Sequence, residues 1–143
     1  MRRHHVVSLS LLLLLAAAGC SGEDRLSEEE FVEQANAICA EGNEELESAA
    51  DELVEGGDPS EEDLEGLIDT AIDNVSAQLN GIEDLSPPED MEADVEDLLE
   101  TARAELQDLE DAGAEAFTSG EPPFEESNQK ARDLGLDECG DES

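Results

Sequence analysis

The sequence predicts an all-α protein: an antiparallel up-down four-helix bundle, disulfide-stapled, after a lipoprotein signal peptide. Three observations carry the helical part. Between residues 27 and 136, apolar and small residues recur three and four positions apart, the spacing that gathers them on one helical face. No stretch shows the strict alternation of a half-buried strand. Start and stop signals punctuate the pattern into four segments joined by short turns, which favours antiparallel neighbours.

Segment one opens on Ser27-Glu28-Glu29-Glu30, a capping box in which Ser27 and Glu30 bond each other's backbone amides. Its stripe is Phe31, Ala35, Ile38, Gly42, Leu46, Ala49 and Leu53, and Gly56-Gly57-Asp58-Pro59 ends it. Gly42 costs a helix about 1 kcal/mol relative to Ala, which leaves room for a bend at Gly42-Asn43. Segment two opens on Ser60 with Asp63 three residues on. Its stripe is Leu64, Leu67, Ile68, Ala71, Ile72, Val75, Leu79 and Ile82, and Ser86-Pro87-Pro88 closes it.

Proline is favoured in a first helical turn, so segment three is expected to start near Pro88. Its stripe runs Met91, Val95, Leu98, Leu99, Ala102, Leu106, Leu109, Ala112 and Ala116, with Phe117 near the end and Ser119-Gly120 as the break. Segment four is expected from about Pro122, with Phe124, Asn128, Ala131 and Leu134 on its face. Gly135 then serves as a left-handed cap, with Leu136 folding back as its hydrophobic partner. The stripes are narrow and Ala-rich, so the predicted core is thin.

The N-terminus has a different pattern. Arg2 and Arg3 precede a 13-residue apolar run, Val6 to Ala18, and then Gly19-Cys20. A basic start, an apolar stretch and small residues form an export signal, and the run is short of the ~20 residues that span a bilayer. Ala17-Ala18-Gly19-Cys20 resembles a bacterial lipobox. That resemblance implies a diacylglycerol on the Cys20 thiol and cleavage that leaves Cys20 as the new N-terminus. Two acyl chains anchor a protein stably where one is marginal. The expected organisation is a signal peptide over 1–19, a lipidated tether over 20–26 and an acidic helical domain over 27–140.

Removal of residues 1–19 leaves 42 acids against 4 basic residues, a net charge of −38. Such a chain lacks the clustered Lys and Arg that neutralise phosphate, so nucleic acid is excluded as a partner. Anionic headgroups would repel it, so the acyl chains alone must hold the membrane. His4 and His5 leave with the signal, and there is no Trp or Tyr. The commonest general base and metal ligand is therefore missing, as are two of the aromatic platforms that stack on sugars. Paired carboxylates serve glycoside hydrolysis, but in a chain this acidic such pairs arise by chance. No enzyme activity, cofactor or catalytic residue is expected. Carboxylates suit calcium, yet the nearest acidic loop, "EGGDPSEEDLE", lacks the D-x-D-x-D-G order, so no metal site is assigned.

With Cys20 assigned to the anchor, Cys39 and Cys139 remain as an even pair in an oxidising compartment. At 1.5 Å per residue, Cys39 lies ~24 Å below the end of segment one, and segment four descends ~21 Å before its tail reaches Cys139. Similar depth favours a bridge. A redox or metal-binding thiol pair is the alternative, although no C-x-x-C motif or histidine assists it.

"FVEQANAICA", "LSPPED" and "ARDLGLDECG" together resemble a family of small actinobacterial secreted proteins and lipoproteins of unknown function, over most of residues 27–140. Its motifs here are A-N-x-I-C and L-G-L-x-x-C-G. The resemblance implies a helical bundle stapled by Cys39 and Cys139 and implies no activity. The expected role is a monomeric, non-catalytic interaction or structural module on the extracytoplasmic face of the cell membrane, with an unidentified envelope protein as partner. The alternative is a lipoprotein accessory to transport that binds a small molecule or a cation such as calcium.

Overall fold

The computed structural model describes residues 25–55, 59–113, 115 and 122–140. Among these residues the secondary structure is helical, without strands, and consists of four α-helices: α1 (Glu28–Glu55), α2 (Glu61–Glu83), α3 (Glu92–Ala112) and α4 (Glu125–Asp133). Cys20, and Ala116 and Phe117 at the end of segment three, lie outside the described residues.

The capping box expected at Ser27 forms, and a second forms at Ser60. The Glu30 amide donates to Ser27 Oγ at 3.3 Å, and the Ser27 amide donates to the Glu30 carboxylate at 3.0 Å. Ser60 and Asp63 repeat the arrangement at 3.3 and 2.9 Å. In each case the side-chain bond from the serine is the larger cause, and the backbone bond the next, of a carboxyl pKa held below its ordinary value. α1 runs through Gly42 and Asn43 as one helix, Glu28–Glu55.

Two starts fall later than the proline positions predicted. Pro88 lies before the helix, in a turn whose carbonyl accepts from the Met91 amide, and α3 begins at Glu92. α4 begins at Glu125, after Phe124, which holds a left-handed φ of 67°. A bulky residue seldom adopts that conformation, at a cost of ~1–3 kcal/mol. The Phe124 ring packs against the core, which offsets the strain.

The helices pack between chain neighbours: α1 on α2, α2 on α3 and α3 on α4. Ile38 lies against Gly81, Gly42 against Gln78 and Glu45 against Asn74, so residue numbers fall along α2 as they rise along α1. One contiguous core joins Phe31, Ala35 and Cys39 of α1, Leu79 and Ile82 of α2, Val95 to Leu106 of α3, and Ala131 and Leu136. Phe31 and Leu136 are each 0% exposed. Among the described residues no buried side-chain nitrogen or oxygen lacks a hydrogen-bond partner.

Candidate functional site

The sequence segments "ANAIC", "LSPPED" and "LGLDECG" come together at one end of the molecule. α4 ends in a Schellman motif: the Gly135 amide donates to Arg132 O at 3.0 Å and the Leu136 amide to Ala131 O at 2.9 Å. Gly135 has φ +76°, where a side chain is strained. The reversal drives Leu136 into the core and lays residues 137–140 along α1.

Asn36 then holds that tail at two points. Its Nδ2 donates to Gly135 O, and its Oδ1 accepts from the Glu138 amide, both at 3.0 Å. Asn43 Nδ2 adds a bond to Glu138 O at 2.8 Å. Between these two asparagines, Cys39 is joined to Cys139 with Cα atoms 5.0 Å apart, closing a loop of sequence separation 100. Gly140 ends the tail where a Cβ would come within 2.8 Å of the Asn128 carbonyl oxygen, so no larger residue fits without movement.

The chain's entry is tied down at the same end. The Leu26 amide donates to Ser86 O at 2.9 Å, Arg25 donates to Pro87 O at 3.0 Å, and Arg25 also pairs with Glu92 at 3.0 Å. Arg25 and Leu26, expected in the tether, are thus already held against the body of the domain. Farther along α3, Glu105 caps α4 from outside, accepting from the amides of Glu126 and Ser127 at 3.0 and 3.1 Å. Phe124 has no side-chain oxygen with which to cap that helix itself. Lys130 bonds Asp97 at 2.7 Å and Thr101 at 2.8 Å. The Asp97 bond is the main cause of a raised Lys130 pKa; partial burial opposes it, and Glu126 adds to it.

The opposite end is built differently. No side chain is fully buried in residues 43–55 of α1 or 61–78 of α2. Leu46, Leu53, Leu67 and Ile68 are half-buried, Val54 is 70% exposed and Leu64 is 42% exposed. The stripe that is core near Phe31 continues here but is only partly covered: Ile72 and Val75 still pack against the core, whereas Val54 and Leu64 are exposed.

Charge is divided along the same axis. From residue 26 to residue 102 the chain has no Lys, Arg or His. The four bases of the described chain are Arg25, Arg103, Lys130 and Arg132. Arg103 pairs with Glu83 at 2.6 Å, and Arg132 bonds Gly140 O and Gln129. An open depression of about 520 Å³ lies along α1, lined by Glu41, Glu44, Glu45, Ser48, Ala49 and Glu52. The negative field of α1 beyond Gly42 and of early α2 thus has no internal cation.

Of the residues singled out from sequence, Cys39 and Cys139 are brought together, and Cys20 lies outside the described residues. Asn36 falls within the A-N-x-I-C motif, but sequence reasoning did not show that it grips the tail. It missed Glu105 and the roles of Asn43 and Gly140, which depend on partners 21, 95 and 12 positions away. Among the described residues no helix is long and apolar enough to cross a membrane, and no group of three or more ligating side chains is placed to hold a metal. No family model, curated protein or solved structure matches the chain.

Proposed function

We propose that the chain is an exported lipoprotein, acylated at Cys20 and held on the extracytoplasmic face of the membrane. Its domain is a monomeric antiparallel up-down bundle acting as a non-catalytic interaction or structural module. The observation that carries this reading is the anchoring of Arg25 and Leu26 on the α2–α3 turn. Four residues separate Cys20 from Arg25, at most ~14 Å of extended chain, so acylation at Cys20 would hold the clasped end close to the membrane. The partly open apolar stripe of α1 and α2, with Val54 and Leu64 exposed, supports an interaction module. Metabolic labelling with a fatty acid tests the anchor: label should follow the protein into the membrane fraction and be lost in Cys20→Ser. Label that persists in the variant, or a wild-type protein released without label, contradicts it.

A cation-binding accessory is the second reading, favoured by the acidic depression along α1. Calcium titration in physiological sodium chloride tests it. A saturable transition lost in Glu45→Gln together with Glu52→Gln would establish a site, whereas a diffuse, salt-like response argues for the interaction module.

A further inference from the structure

We infer that the α1–α2 hairpin, over residues 46–54 and 64–72, is the docking surface for a cationic amphipathic helix of a partner protein. Apolar side chains there repeat at helical spacing along both helices yet stay partly open, from Leu46 and Leu53 to the exposed Val54 and Leu64. Two adjacent helices bearing such stripes offer a groove in which a third amphipathic helix can lay its own apolar face. Charge selects the occupant. Acids surround this groove, and no base occurs from residue 26 to residue 102.

A second copy of this chain would bring a like field against it, and an anionic lipid surface is repelled in the same way. A helix carrying Leu, Ile or Val on one face and Lys or Arg beside it matches both the greasy floor and the acidic walls. Position agrees. Ser27 and Glu55 are separated by ~40 Å along α1, so the hairpin projects from the end opposite the tether. That outward orientation rests on the Cys20 anchor proposed above. Docking itself is measured on unacylated protein and stands separately from it.

The test uses the full chain carrying Cys20→Ser with the 39–139 bridge intact. The probe is a synthetic peptide of Leu and Lys patterned as an amphipathic helix, compared with a scrambled peptide of identical composition. In buffer of physiological ionic strength, the patterned peptide is expected to bind at least tenfold more tightly and to move amide resonances of 46–54 and 64–72 most. Val54→Ser with Leu64→Ser, both exposed positions that leave the core intact, should weaken it about tenfold. Several results would overturn the inference: no binding, equal binding of the scrambled peptide, shifts spread over the outer face of α3, or indifference to the double variant. A dimer in sedimentation that Val54→Ser/Leu64→Ser dissolves would assign the surface to a second copy and overturn it equally.

Discussion

The clasped end and the hairpin end are made from the same two long helices, with the same apolar spacing, and differ in what covers them. Near Phe31, Cys39 and Ile82 the stripes of α1 and α2 meet α3 and the returning tail and become core. Beyond Gly42 and before Leu79 the same helices contain no fully buried side chain. The covered end also holds the disulfide, the asparagine clasp and the four bases of the described residues, whereas residues 26–102, which include the hairpin, carry acids and no base. An amphipathic stripe therefore specifies a face and not its burial. Burial depends on what packs across that face.

The largest effect in this comparison should come from the staple. Cys39→Ser with Cys139→Ser opens a loop of separation 100 and should cost about 4–5 kcal/mol in the chain-entropy model. Thermal melting by circular dichroism should show a midpoint fall of roughly 15 °C or more. An unchanged midpoint would remove the bridge from the account. Next come paired truncations. Leu136→Ala empties a site that is 0% exposed and should cost about 2–5 kcal/mol. Leu67→Ala, in the half-buried arm, should cost less than half as much in the same urea titration.

Two glycines sharpen the contrast. Nothing lies within 4 Å of a Cβ placed on Gly66, so Gly66→Ala should stabilise the hairpin by about 0.5–1 kcal/mol through helix propensity. A Cβ on Gly42 would overlap the flexible Gln78 side chain, which can swing aside only by giving up its bond to Asn74, so Gly42→Ala should gain less than Gly66→Ala. Adding Gln78→Ala should recover the difference. An equal gain at both glycines would mean that the α1–α2 approach at Gly42 is looser than described.

The smallest effect concerns the two caps. Ser60→Ala removes a box at the hairpin end and should cost about 1 kcal/mol. The Asp63 carboxyl that completes the box has its pKa lowered in the fold, chiefly by the Ser60 hydroxyl bond. Its contribution is therefore fully present above the ordinary aspartate value near ~4 and is lost as pH falls through the lower folded value. The stability gap between wild type and Ser60→Ala should narrow below about pH 4. A gap independent of pH would mean that the carboxylate takes no part in the cap.

Much of the clasped end was legible in sequence because its signals are local or few. A serine three residues before an acid marks a cap, Gly135 followed by Leu136 marks a helix reversal, and two cysteines left after Cys20 have one pairing. The late starts of α3 and α4 were not legible. Pro88 and Pro122 announce that a helix is coming but do not fix how many turn residues intervene. Nor could spacing show that Leu46, Leu53, Leu64 and Leu67 would stay partly open, since their pattern is that of the buried half. The roles of Asn43 and Gly140 gave no signal, because their partners lie on distant segments.

Native-state hydrogen exchange tests the central claim most directly, since it reads the cohesion of both ends in one experiment. Amides of 31–42, 79–83, 95–106 and 131–136 should exchange only through global unfolding. Those of 47–55 and 64–72 should exchange through a separate opening of lower free energy, with the bridge intact. Equal protection along α1 and α2, or greater protection in the hairpin than beside Cys39, would contradict the division of the molecule into a covered end and an open one.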